Sequence, residues 1–276
     1  MLPILLAALS AVVWGVGDFS GGKATQTSRA LAVTVLSQLA GLPVLAACVA
    51  LLGGGSPTIG TLLWGVVAGL AGFGGILLLY RGLSQGAMSV FAPISAVTTA
   101  LVPLGVGLAV DRTPSMSALV GAGCAVVAIG LVSRTPGGTP ATPRIVGLAL
   151  AAGLCFGIFF ALLGKAGPNV GMWPLVGVRV GSLGVGLLLV ARTPEVLRLT
   201  PVARGWTVLA GTLDVLANAL YLLAATRGPL AVVAPIAALY PVSTVLLALG
   251  VDRERVAPAQ IAGLGLAATA LVLSAT

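Results

Sequence analysis

Apolar residues in this chain fall in long continuous runs, separated by short clusters of Gly, Pro and charged residues. Ten runs stand out: residues 2–19, 31–52, 62–83, 87–110, 115–133, 145–164, 173–191, 205–226, 230–250 and 257–274. A bilayer core about 30 Å thick needs roughly 20 apolar residues per helical crossing, so each run is a candidate transmembrane helix. A membrane barrel would alternate apolar and polar positions. In lipid each backbone N–H and C=O must be satisfied internally, which a helix does within one segment. The pattern predicts an all-α integral membrane protein with ten transmembrane helices and no soluble domain outside them.

The pattern is also written twice. Residues 228–238 restate residues 86–96, with Ala92-Pro93-Ile94 returning as Ala234-Pro235-Ile236. The same offset of 142 residues pairs Gly15 with Gly157, Gly22 with Gly164, Lys23 with Lys165, Trp64 with Trp206, Gly69 with Gly211 and Gly121 with Gly263. A register held from end to end indicates duplication. It predicts two five-helix repeats, residues 1–137 and 138–276, joined through the Pro- and Gly-rich stretch at 134–144. Five crossings are an odd number, so the second repeat enters the membrane from the opposite side. Inverted repeats of this kind are a ground plan of secondary transporters, with the binding site near the midplane.

Composition narrows the function. The chain is 58% hydrophobic and 7% charged, against about 25% charged in soluble proteins. It has no histidine, which removes the commonest general base and metal ligand. No nucleophile and base pair offers itself, so neither an enzyme nor a cofactor is expected. The three cysteines, Cys48, Cys124 and Cys155, sit inside predicted helices without metal-ligand spacing and read as small packing residues. The first run lacks a basic leader and a cleavage site and carries the repeat's Gly15, so it is expected to stay as a mature helix.

A net charge of +8 would suggest nucleic acid in a soluble protein. Here the basic residues are scattered through short loops, and no nucleic-acid partner is expected. The odd-numbered loops hold Lys23, Arg29, Arg81, Arg134, Arg144, Arg192, Arg198, Arg204, Arg253 and Arg255, the even ones only Arg112, Lys165 and Arg227. The positive-inside rule would make the odd loops cytoplasmic and both termini external.

Three ionisable residues fall at membrane depth: Asp18, Arg179 and Asp214. A charge there costs roughly 2.5–3.5 kcal/mol on insertion scales, so it should face a polar interior or a partner. Gly211, Asp214, Asn218 and Tyr221 follow spacings of three and four and share a helix face. The first repeat has Gly69, Gly72, Ile76 and Leu79 in their place. Arg179, with Ser182 on its side of the helix, either holds a substrate carboxylate in two parallel hydrogen bonds or neutralises an aspartate. Asp18 lies one turn after Trp14, where a ligand would meet a ring and a carboxylate together. Lys23 and Lys165 fit helix-end anchors whose stems lie in lipid. The expected cavity is lined by helices one, three, four, six, seven, eight and nine. It takes Trp14, Asp18, Tyr80 and Ser84 from the first repeat, and Phe159, Phe160, Arg179, Asp214, Asn218, Tyr221 and Tyr240 from the second. Pro93 and Pro235 each remove a backbone donor and should kink helices four and nine, with Tyr240-Pro241 a second break.

The duplicated five-helix block, Trp14-Gly15 before Lys23, Phe156-Gly157 before Lys165, and the two Ala-Pro-Ile segments resemble the EamA-type family of the drug/metabolite transporter superfamily. The resemblance covers essentially the whole chain. It implies a carrier of small metabolites, amino acids or drugs, often outward, in a cell membrane such as a bacterial plasma membrane, as a monomer or homodimer. Related small multidrug resistance proteins exchange substrate for protons at a glutamate eight residues before a lysine. That position is Gly15 in one repeat and Gly157 in the other, so the acid does not carry over and Asp18 is the nearest substitute. Members are often described with cytoplasmic termini, opposite to the loop count, and orientation stays open.

Three functions compete. The first is alternating-access export of small metabolites such as amino acids, coupled to protons through Asp18 or Asp214. The second is export of hydrophobic drugs or organic cations, and the third a non-transport membrane protein.

Overall fold

A computed structural model describes residues 1–83, 88–110, 115–132, 142–167, 169–191, 194–240, 242–243, 247 and 257–275. The described residues form helices and no strand. In chain order the helices are α1 (Leu2–Thr25), α2 (Ala30–Ala40), α3 (Leu42–Leu51), α4 (Ile59–Leu83), α5 (Met88–Val110), α6 (Met116–Val132), α7 (Pro143–Gly164), α8 (Trp173–Ala191), α9 (Pro201–Ala225), α10 (Leu230–Ala237) and α11 (Pro258–Ala275), with a short 3-10 turn at Pro194–Leu197. Among the described residues six runs are long and apolar enough to cross a membrane: Leu2–Thr25, Ala30–Leu51, Ile59–Gly82, Pro143–Gly164, Trp173–Ala191 and Pro201–Ala225. Two shorter apolar stretches, Ile94–Ala109 and Leu119–Leu131, accompany them. The ninth of the ten sequence windows, 230–250, falls partly outside the described residues. So do Ser84, Pro241, the repeat boundary at 137/138 and most of the 134–144 linker.

Polar helix ends explain where the boundaries differ from hydropathy. α1 continues past residue 19 to Thr25 because its hydroxyls bond back to the helix: Ser20 Oγ donates to the Val16 carbonyl at 2.7 Å, and Thr25 Oγ1 to that of Gly22 at 2.9 Å. α9 starts at Pro201 rather than 205 because Thr200 caps it, accepting from the Ala203 amide at 3.3 Å, with Pro at the first helical position. The second run is one stretch, Ala30–Leu51, interrupted at Gly41, two residues before Pro43. α5 runs through Pro93 without interruption, whereas α10 ends two residues after Pro235. The chain turns at 238–239 and is helical again at Tyr240. The two Ala-Pro-Ile segments therefore differ in local structure.

Helix neighbours follow the duplication. α1 packs on α9 and α4 on α7; α4 packs on α8 and α2 on α9; α5 packs on α7 and α1 on α10; α5 meets α10 and α6 meets α11. Exchanging the two repeats maps each pair onto its partner. Two close helix approaches follow the same exchange to within one residue. A methyl group added at Gly69 would lie 2.2 Å from the Val178 carbonyl oxygen, and one at Gly211 would lie 2.0 Å from that of Ser37. Such contacts let helices touch backbone to backbone, as small residues do in membrane interfaces. Gly69→Ala and Gly211→Ala are each expected to destabilise the protein by about 1–3 kcal/mol, because a carbonyl cannot swing aside as a side chain can. Gly147 and Gly265 have nothing within 4 Å of such a methyl. Their alanine variants should match or slightly exceed the parent in thermal unfolding in detergent.

Loop contacts sort the helix ends into two sets. Thr27 and Ser28, after α1, bond Thr200, before α9. Gly55, after α3, meets the Asn169 carbonyl of the α7–α8 loop, and Gly171 returns the contact to Gly54. Both glycines have positive φ, +71° and +56°, and the added Cβ would come within 1.9 Å of a carbonyl oxygen, so backbone angle and space both demand glycine. Outward, α1 presents Leu2, Leu5, Leu9 and Val12 as an exposed apolar stripe, the surface a bilayer would cover.

Candidate substrate cavity

Between the helices lies a cavity, open on one side, with about 580 Å³ of space between atoms when the solvent at its mouth is counted. Of the residues expected there, Trp14, Asp18, Phe159, Phe160, Arg179, Asp214, Asn218 and Tyr240 line it. Tyr80 and Tyr221 stand behind the wall, a correction to the expected lining. The Tyr221 hydroxyl donates to the Phe160 carbonyl at 2.8 Å, and its ring backs Phe160 at 4.9 Å and Trp14 at 5.8 Å. The Tyr80 hydroxyl fills the space left by the missing side chain of Gly21, plugging α4 against α1. Ser84 lies outside the described residues.

The wall has two faces of different chemistry. One is aromatic: Trp14 and Phe160 meet with ring centroids 4.8 Å apart and planes tilted by 49°, and Phe160 meets Phe159 at 5.6 Å. The other is a polar cluster around Arg179, which is buried. Its Nη2 donates to Asp214 Oδ2 at 2.6 Å, and its Nη1 donates to Gln38 Oε1. Ser182 Oγ also donates to Gln38 Oε1, at 3.0 Å. The guanidinium thus joins α2, α8 and α9. Gly41 makes room for it, since a methyl there would sit 3.3 Å from Nη2. Of the alternatives left open for Arg179, the structure has the ion pair with Asp214.

Two polar groups in this wall are not consumed by the cluster. Asn218 Nδ2 donates to the Asp214 carbonyl at 2.7 Å, but its buried Oδ1 has no hydrogen-bond partner among the described residues. Asp18 lines the cavity, and no described residue gives it a hydrogen bond or an ion pair. Its electrostatic neighbours are Asp214, Tyr80 and Tyr240.

Sequence reasoning missed Gln38, Gly69, Gly72, Phe73, Ile76, Phe156, Val178 and Ser182 as lining residues. The repeat offset could have supplied three of them. Phe156 is the counterpart of Trp14, Gly72 of Asp214, and Ile76 of Asn218. Asp18 likewise faces its own counterpart, Phe160. Helix two was not among the helices expected at the cavity, and it supplies Gln38. Gln38 was overlooked because only ionisable residues at depth were weighed, although a neutral amide in lipid also needs partners.

A multi-pass helical membrane protein with a cavity of mixed chemistry between its helices has the form of a carrier. The EamA-like transporter family model matches the chain twice, at residues 1–134 and 143–276, two stretches set apart by the offset of the internal repeat. The chain belongs to the EamA-like transporter family, whose members are transporters rather than enzymes. Among solved structures it is similar to one titled only "Crystal structure of protein", at 15% identity and a TM-score of 0.82, with 99% of this chain and 98% of that chain covered. At that identity the likeness speaks for the fold alone. A search of curated proteins found no match.

Proposed function

We propose that this protein is a secondary carrier of ten crossings in two inverted repeats. It exports small amine-bearing metabolites such as amino acids by alternating access, exchanging them for protons at Asp18. The observation that carries this reading is the division of labour among the three charged side chains that line the cavity. Arg179 and Asp214 neutralise each other at 2.6 Å, which leaves Asp18 as the carboxylate with no direct partner among the described residues. A lone carboxylate beside the Trp14 ring suits an ammonium, through charge and cation–π attraction together.

The same carboxylate binds either a proton or an ammonium, so one site can link the two flows. The charged and titratable groups around it are Asp214 and Arg179 from the facing helices, Tyr80, Tyr240, and Lys23 further along α1. The chain has no P-loop sequence, which fits a gradient-driven carrier.

One observation favours the second reading, export of organic cations. The three charged residues that line the cavity, taken ionised, sum to minus one, and the facing wall is aromatic. Reconstituted vesicles decide between the two. Under an imposed pH gradient, labelled leucine should move and labelled tetraethylammonium should not. The reverse result would select the cation exporter, and flux of neither would sink the carrier reading.

A further inference from the structure

Gln38 is a buried amide whose two ends do different things. Its Oε1 accepts from both Arg179 Nη1 and Ser182 Oγ. Those donors fix which end is oxygen, because neither could donate to an amide nitrogen. The Nε2 end donates to no described residue, and Gln38 lines the cavity while being only 4% exposed. An amide held rigidly by two donors, with its own donors unspent, is preorganised to receive an oxygen.

We infer that Gln38 Nε2 is the subsite for a substrate oxygen, a carbonyl or carboxylate carried next to the amine that Asp18 takes. This rests on the proposed amine-carrier reading and adds a specificity determinant to it. A cavity with Asp18 alone would bind any small amine. A cavity with both groups selects amines that carry an acceptor oxygen, because a bare amine that displaces cavity water from Gln38 Nε2 replaces none of its hydrogen bonds. Arg179 plays a positioning part: with Nη1 on Gln38 and Nη2 on Asp214, it sets the amide and leaves oxygen binding to Nε2.

The test is equilibrium binding of three probes to purified protein: phenylalanine, phenylalaninamide and phenethylamine, which share the ring and the amine and differ in the oxygen. Gln38→Glu keeps acceptors for Arg179 and Ser182 but removes both N–H donors, so it separates ligand binding from support of the cluster. The parent should bind phenylalanine and phenylalaninamide more tightly than phenethylamine. In Gln38→Glu, at an unchanged or higher melting temperature, both oxygen-bearing probes should weaken by about tenfold or more, the worth of one buried hydrogen bond. Phenethylamine should hold or tighten. Equal affinity of parent and Gln38→Glu for phenylalaninamide overturns the inference while leaving the amine-carrier reading intact. Loss of all three probes together assigns Gln38 a purely structural part, and also overturns it. Failure of the parent to bind any of the three removes the amine-carrier reading itself, and the inference with it.

Discussion

Arg179→Met is expected to lower the stability of the folded carrier by about 3–5 kcal/mol, the cost of breaking a buried ion pair from one side. The loss leaves the Asp214 carboxylate without its donor at 2.6 Å and strips one of two donors from Gln38 Oε1, which keeps only Ser182 at 3.0 Å. Asp214 is 22% exposed and can take water from the cavity, which places the cost toward the low end of that range. Removing both charges together, in Arg179→Met with Asp214→Leu, should restore most of the stability, because the double variant buries no unpaired ion. Thermal unfolding in one detergent, on parent, both single variants and the double, gives the coupling directly. A surface-type pair would instead give single variants within about 1 kcal/mol of the parent.

Asp18→Asn is expected to leave the fold intact and abolish gradient-driven transport. No described residue hydrogen-bonds this carboxylate, so its loss orphans nothing. The amide can neither exchange a proton nor pair with an ammonium as an ion, and coupled uptake should fall by about tenfold or more. Asp214→Asn should fail differently. It leaves Arg179 charged, buried and short of its partner, so the amount of folded protein falls, while the transport that remains keeps its dependence on the pH gradient. Flux per folded molecule, measured for both variants with and without the gradient, distinguishes the two roles.

The sequence made the membrane helices legible because lipid imposes a simple rule: a crossing must be long and apolar, and Trp173–Ala191 was bounded correctly on that ground alone. It failed where a helix end is polar yet satisfied, as at Ser20 to Thr25 and Thr200-Pro201. Hydropathy does not register a hydroxyl that bonds its own backbone. The break at Gly41 carries a local sign that hydropathy does not weigh: Pro43 has no N–H to offer the Leu39 carbonyl. The missing side chain of Gly41 then lets Gly211 and the Arg179 guanidinium come close.

The cavity was legible in its charges and less so elsewhere. Asp214 and Asn218 were found because a polar stripe in an apolar helix is conspicuous, and both line the cavity. Tyr80 and Tyr221 were misplaced because a buried tyrosine with a polar tip looks the same whether that tip meets a ligand or a neighbour's backbone, as Tyr221 does at Phe160. Gly72 and Ile76 had been seen only as the plain counterparts of Asp214 and Asn218. In the structure both versions of the repeated face look onto one space, one apolar and one charged. Duplication followed by divergence on one side gives the cavity its two chemistries.

Proton release on substrate binding tests the central claim most directly. Purified protein in weakly buffered detergent solution would be titrated with leucine in the presence of a pH indicator, across the neutral range. The account predicts that the parent releases protons in proportion to substrate bound and that folded Asp18→Asn releases none. Equal release from both proteins, or binding by the parent with no release at any of these pH values, would contradict it.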